Sequence, residues 1–302
     1  MSGTFAQVSD WKNLEGFVLS TFEKDTLYHF IPAKEEGKLY LSSKAESGQS
    51  EAEYHATALN FREELRARSL HKAVFSRVKE IPFAKNPQQL FFRLVDLYPD
   101  AFVYLLSSET FGTWVGATPE VLMRSADSKG FTMALAGTLP ADDEGTWGRK
   151  ELEEQEHVRN YIREKLAEAG VSQCKETART EYVAGPVKHL VSNFCFELDA
   201  DQLVDLAMIL HPTPAVSGLP VDQAVKLIHE FEPHSRELYA GIIGWLGKED
   251  SHLYVNLRCA RILDERMQLY LGGGFTSDSD VEKEWQETEN KARTLLNVIE
   301  DL

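Results

Sequence analysis

Residues 237–275 crowd three apolar, strand-like runs into a short length of chain: ELYAGIIGWLG (237–247), HLYVNLRCARIL (252–263) and MQLYLGGGF (267–275). The turns between them, such as Leu263-Asp264-Glu265-Arg266, are too short for a crossover helix, so such neighbours must pair antiparallel. Further strand-like runs lie at 73–81, 101–108, 113–119 and 131–138. Helical periodicity covers 51–70, 86–98, 146–169, 199–209, 220–231 and 279–301. Long helices interleaved with antiparallel strand groups predict an α+β fold with sheets between helix layers. The polar stretch Lys34–Glu53, broken by LYLSS, reads as loop and strand edge. No strand is followed by GxGxxG or GxxxxGK[ST], which disfavours a nucleotide-binding fold.

At 302 residues and 43% hydrophobic content the chain can bury a sizeable core, as one large domain or two ordinary ones. Its net charge of −16, without a Lys/Arg cluster, argues against a nucleic-acid partner. The same acidity would repel an anionic substrate, so such a ligand must be drawn in by local cations or a bound metal. Cys174, Cys195 and Cys259 are odd in number and lack CxxC spacing. A disulfide framework or zinc site is therefore disfavoured, and a reducing cytoplasm fits best. No apolar run reaches the ~18 residues of a membrane helix, and the first residues lack the basic-then-apolar order of a signal peptide. The expectation is a cytoplasmic protein, monomeric by default, with no membrane partner.

The helix patterns carry acids where apolar residues belong. Val158, Ile162 and Leu166 repeat at i, i+4, i+8, and one step toward the N-terminus the stripe lands on Glu154. Glu284, Glu287 and Lys291 share one face of the last helix, which continues into Leu295 and Val298. Read singly, Glu154 points to solvent beyond the core edge, and Glu287 makes an ordinary i, i+4 pair with Lys291. Two helices aiming carboxylates inward favour a shared ligand. Hard oxygen donors without His or Cys suit Mg²⁺, which shares its shell with waters and substrate. Gly272, Gly273 and Gly274 end a strand just before that helix, which marks either a bulge or close backbone approach to a ligand. Arg258 reads as mid-strand between Leu257 and Cys259, either snorkelling or pairing with an anion. Lys72 and Glu120, taken singly, stand out from nothing around them.

The segments KAVFSR (72–77), GATPEVLMR (116–124), LAGT (135–138), KELEEQE (150–156), HLVS (189–192), HPTPAVSG (211–218), RELYAGIIGW (236–245), NLRCA (256–260), LGGG (271–274) and EWQETENK (284–291) occur in that order. They resemble the chorismate-utilising enzymes and, within them, the isochorismate synthases. The resemblance runs from about residue 55 to the end; the first 50 residues match weakly and look short for the family. It implies one chorismate-binding domain over 1–302, built as two antiparallel sheets packed face to face with helices outside and a deep cleft at one end. It also implies an isomerase: water adds to C2 of chorismate, the double bonds shift and the 4-hydroxyl leaves. Lys72 matches the base that takes a proton from water, and Glu120 the acid that protonates the leaving hydroxyl, on opposite sides of the ring. Such roles call for a lysine held neutral and a carboxyl with a raised pKa. Glu154, Glu284 and Glu287 match the Mg²⁺ shell. Arg258 and Tyr239, with the Gly272 and Gly274 amides, match binders of the enolpyruvyl carboxylate. Gly137, His189 and Lys291 match other cleft positions.

Lys72 argues against an anthranilate synthase, which lacks lysine at that position. Ala136 argues against an aminodeoxychorismate synthase, which carries a reactive lysine there. A salicylate synthase shares Lys72 and Glu120 but tends to carry threonine where this chain has Ala215, so it stands second. The alternative from another class is a catalytically silent member that binds a carboxylate metabolite or serves as a partner subunit; a generic acidic scaffold would have no reason to place carboxylates on apolar helix faces. The product's use in menaquinone, siderophore or salicylate biosynthesis stays open.

Overall fold

The computed structural model describes residues 1–33, 37–42, 45–199 and 202–302. The chain opens with three strands, β1 (Ser2–Val8), β2 (Gly16–Ser20) and β3 (Leu27–Ala33). Helix α1 (Glu51–Ala67) starts at a capping box in which the Ser50 hydroxyl and the Glu53 carboxylate satisfy each other's backbone amides. Then come β4 (Lys72–Pro82), α2 (Pro87–Leu97), β5 (Phe102–Ser108), β6 (Gly112–Thr118), β7 (Val121–Ala126) and β8 (Lys129–Pro140). Helix α3 (Arg149–Glu168) precedes β9 (Lys175–Glu176), β10 (Thr180–Ala184) and β11 (Val187–Glu197). The last part runs α4 (Leu203–Leu210), β12 (Gly218–Leu219), α5 (Val221–Phe231), β13 (Ile242–Leu246), β14 (Asp250–Val255), β15 (Cys259–Ile262), β16 (Arg266–Phe275) and α6 (Val281–Glu300).

The strands form two antiparallel sheets. One has ten strands ordered β1-β3-β2-β13-β14-β7-β8-β11-β10, with β9 also on β11; the other has six, β12-β4-β16-β15-β6-β5. Strand alternation divides the six-stranded sheet's two faces. Val78, Tyr104, Trp114 and Tyr270 enter the core shared with Val18, Met123 and Phe194 of the larger sheet. Val115, Ala260, Met267 and Leu269 face the opposite way, onto Leu90 and Leu94 of α2 and Leu295 and Val298 of α6. Tyr54, Phe61, Phe75, Leu227 and Phe275 fill a third cluster between α1, α5 and the β4 end. The α+β expectation, with antiparallel sheets and helices outside, therefore holds.

Several local readings change. Only Ile242–Leu246 of the run 237–247 is strand; Glu237 and Ala240 take left-handed φ values of 51° and 58° in a preceding turn. The Asn256 side chain holds that turn by donating to the Leu238 carbonyl at 2.8 Å. The run 252–263 is two strands in different sheets, β14 and β15, broken at Asn256–Arg258. Arg258 is thus not mid-strand but in the break, with φ 49°. Strand β11 was invisible to periodicity because polar and apolar residues mix along it. In the Lys34–Glu53 stretch and the 199–209 helix pattern, residues 34–36, 43–44 and 200–201 lie outside the described residues. Among the described residues no helix is long and apolar enough to cross a membrane.

One buried ion pair ties α5 to the sheets. The Arg236 guanidinium donates to both Glu232 oxygens, at 2.8 and 2.7 Å, and to the Val216 and Val74 carbonyls at 2.8 and 3.0 Å. Both side chains are 2% exposed. Arg236→Met strands a buried carboxylate, so we expect denaturant unfolding to show a loss of about 3–5 kcal/mol.

Candidate active site

The site begins where the chain changes sheets. β6 of the small sheet passes through Pro119-Glu120 into β7 of the large one, and β14 of the large sheet passes through Asn256–Arg258 into β15 of the small one. The two crossings lie side by side. Ala117 N donates to Arg258 O at 3.1 Å, and Val255 N to Glu120 O at 3.0 Å. Glu120 and Arg258 are thereby carried into the same opening between the sheets, on backbone that both sheets anchor.

Lys72 arrives from the far side, at the first position of β4. Strand β12 and the loop before it cover this end: His71 N donates to Leu219 O at 2.9 Å and Val74 N to Ser217 O at 2.8 Å. That places the HPTPAVSG loop, with Ala215, in the wall. Neighbouring β16 supplies the glycines, Gly274 opposite Val74 and Gly272 opposite Ser76. A Cβ on Gly274 would lie 2.5 Å from Glu154 Oε1 and 2.7 Å from Lys72 Cε, and one on Gly272 2.6 Å from the Tyr239 hydroxyl. The glycines admit these three side chains. Gly137 is a bulge: Thr138 pairs with His189 and Ala136 with Leu190, so Gly137 is skipped, at φ +73°.

All the sequence-predicted residues except Glu284 line one cavity, about 720 Å³ of atom-free space with its mouth included. That is the size range of small-metabolite sites. Two of its buried basic side chains make no ion pair. Lys72 is 2% and Arg258 8% exposed, and neither has an ion-pair partner among the described residues. Arg258 instead donates to Thr294 Oγ1 and to His189 Nε2, both at 2.9 Å. A guanidinium only donates, so His189 Nε2 accepts and its proton sits on Nδ1, donating to Gly137 O at 2.9 Å. Burial, then Arg258 and Lys291, push the imidazole down to about 3, which keeps it neutral. Burial also lowers Arg258, to about 10, leaving it charged at neutral pH. Glu120, 5% exposed, is raised by burial to about 7 against the pull of Lys72, Lys291 and Arg258.

The acids gather on the Lys72 side, where Glu154 Oε1 and Lys72 Cε would both meet a Cβ on Gly274. Glu154 reaches in from α3 and Glu284 and Glu287 from α6. Lys291 donates to Glu287 Oε1 at 2.6 Å and to Gly272 O at 2.8 Å, so the i, i+4 pair exists and is itself part of the cavity wall. Burial opposes ionisation of Glu287, but Lys291 and Lys150 outweigh it and hold it well below the usual range. Burial pushes Glu284 up; Lys150 opposes this and the neighbouring Glu287 and Glu154 reinforce it. Glu284 lies behind the cavity rather than on its surface, paired with Lys150. Lys150 was missed by sequence reasoning, although it shares a helix face with Glu154 at i, i+4. Two carboxylate oxygens, Glu154 Oε1 and Glu284 Oε2, are buried with no hydrogen-bond partner. Buried acceptors without donors are costly, and hard carboxylate oxygens suit a small hard cation; the oxygens of Glu154, Glu284 and Glu287 do not all come within 4.8 Å of one another, a spacing met among the described residues by the ligand atoms of Glu51, His55 and Glu282. The arrangement can thus bind an anion at Arg258, beside a carboxyl that still carries its proton near neutrality.

The sequence profile described as chorismate binding enzyme matches residues 12–300. The chain belongs to the chorismate-binding enzyme family. Within that family it is 31% identical over 243 residues to the isochorismate synthase EntC of Escherichia coli K12, an alignment covering 76% of this chain. This chain spans 62% of that relative's length. It is also 31% identical over 259 residues to the putative isochorismate synthase MenF of Mycobacterium tuberculosis H37Rv, covering 76% of this chain and 68% of the relative. The fold is that of the putative isochorismate synthase DhbC from Bacillus anthracis, with a TM-score of 0.84 over 98% of this chain and 91% of that one, at 21% identity.

The raised Glu120 carboxyl has a consequence for stability. An unfolded glutamate ionises near 4.5, whereas the folded one keeps its proton until about 7. Between those values the unfolded chain binds fewer protons, so stability falls as pH rises through this window and is level above it. Glu120→Gln removes that fall. We expect denaturation curves at pH 4.5 and 7.5 to differ less for the variant than for the wild type by this amount.

Proposed function

We propose that this chorismate-binding enzyme is an Mg²⁺-dependent isochorismate synthase, converting chorismate to isochorismate. The observation that carries the reading is the buried Arg258 guanidinium, without an ion-pair partner among the described residues, sharing a cavity with the buried Lys72 and the protonatable Glu120. The isochorismate synthases among the relatives support it. On this reading the Arg258 guanidinium, held by Thr294 and neutral His189, takes the enolpyruvyl carboxylate with help from the Tyr239 hydroxyl. His189 is neutral and adds no second charge, so on this reading Arg258 supplies the charge that the carboxylate meets.

The lysine amine removes a proton from the water that attacks C2. The Glu120 carboxyl donates its proton to the departing 4-hydroxyl, so that water rather than hydroxide leaves. A lone pair of the attacking water forms the C2–oxygen bond, the two ring π pairs shift toward C4, and the C4–oxygen pair leaves on the departing oxygen. Mg²⁺ held by Glu154, Glu284 and Glu287 would supply positive charge against the ring carboxylate. The same acids, with Lys291 anchored on the Gly272 carbonyl, keep that wall in register with Lys72. Ala215, in the loop beside Lys72, favours a reaction that stops at isochorismate over one that eliminates pyruvate.

The test is chromatographic product analysis after incubation with chorismate, with and without Mg²⁺. Isochorismate is expected only with Mg²⁺, and Lys72→Ala and Glu120→Gln each lose at least about 100-fold in kcat. Because Glu120 must be protonated to act, kcat/KM should fall as pH rises through about 7. Pyruvate released in step with chorismate loss would favour salicylate synthesis, and absence of any product with Mg²⁺ would sink the reading.

A further inference from the structure

Lys150 is the second residue of α3, and its ammonium contacts Glu284 Oε1 in the acidic cluster. The two side chains are 28% and 1% exposed. Burial opposes a charge there, yet Glu284, Glu154 and Glu287 together overcome it. Lys150 is therefore attracted by the same three carboxylates that the Mg²⁺ reading assigns to the metal. Glu284 has its other oxygen, Oε2, buried and without a partner, as does Glu154 its Oε1.

We propose that Lys150 is the built-in counter-ion of this cluster and competes with the divalent cation for it. The inference rests on the metal part of the reading above and concerns how the site admits its cation. Formally, three carboxylates and Lys291 leave two negative charges, which a divalent ion balances. An ammonium in their midst removes half of that attraction and repels the incoming ion at close range, where the low dielectric makes like charges costly. For the cation to enter, Lys150 must leave.

The structure provides a place for it to go. An open groove lies on the outer side of Glu284, where Lys150 meets Glu151, Asp278, Asp280 and Glu287 together with the basic Arg149 and Lys283. Lys150 already reaches the cluster from this side, and its four-carbon stem can turn outward without moving α3. Asp278 and Asp280 in the groove wall offer it replacement carboxylates. Asp280 caps α6, the helix that carries Glu284 and Glu287. The outward position of Lys150 is thus tied to the segment that presents two of the metal's assigned carboxylates.

Calorimetric titration of MgCl₂ into the substrate-free protein tests this, with wild type, Lys150→Gln, Lys150→Met and Lys150→Arg compared. Removing the charge should tighten Mg²⁺ binding by about tenfold or more in the Gln and Met variants, while Arg, which keeps it, binds no tighter than wild type. Thermal unfolding gives a second readout. Without Mg²⁺ the Gln and Met variants should melt below wild type, and saturating Mg²⁺ should raise their Tm by more than it raises the wild type's. Equal or weaker Mg²⁺ affinity in a cooperatively folded Gln or Met variant overturns the role of Lys150 and leaves the metal site standing. No Mg²⁺ binding by any of the four proteins, with chorismate added or not, removes the metal site and the proposal with it.

Discussion

Two strand connections that change sheets next to each other set up everything in this site. A strand that stays in one sheet spends its backbone groups on its neighbours and points its side chains into a packed core or outward. At Pro119-Glu120 and at Asn256–Arg258 the chain leaves one ladder before joining the other, and the two gaps are bonded across by Ala117 to Arg258 and Val255 to Glu120. Backbone polarity is thereby satisfied at a point where no sheet core fills the space. The left-handed backbone of Arg258 is maintained by ladders on both sides of it. The resulting opening lies deep between the sheets, yet its walls are as rigid as strands.

Burial at that depth then determines the chemistry of the side chains. The same desolvation keeps a proton on Glu120, takes one from His189 and leaves Arg258 charged but without a carboxylate. A buried guanidinium bonded only to a hydroxyl and a neutral imidazole is an expensive arrangement for stability alone. It becomes economical when an anionic ligand completes it. The overall charge of −16 makes this local concentration of cations more necessary.

The acidic wall applies the converse logic. Three acids come from two helices; Lys150 pairs with Glu284 and Lys291 with Glu287, while Glu154 Oε1 is left without a hydrogen-bond partner. Lys291 is built in, since it also binds the Gly272 carbonyl. Lys150 has one foot in solvent and is bonded to a single carboxylate. The difference between these two lysines, one locked and one movable, follows from where each helix begins: Lys150 is at an N-terminus with an open groove beside it, and Lys291 is mid-helix against a strand.

Periodicity alone located the six helices and the acids on their buried faces, because a carboxylate at i, i+4 from a core stripe is visible in one dimension. Resemblance in the ordered segments added Lys72, Glu120 and the family. What one dimension could not carry were the sheet changes: HLYVNLRCARIL reads as one strand because its apolar pattern runs through, whereas Arg258 breaks it in space. Strand β11, with its mixed pattern, and the Gly137 bulge beside His189 depend on which neighbours they meet. The standing of Glu284 and Lys150 was decided there too. Whether a carboxylate faces a cavity or an ammonium behind it depends on where β8 holds α3 and β16 holds α6, and no local spacing encodes the distance between two helices that lie more than a hundred residues apart in the chain.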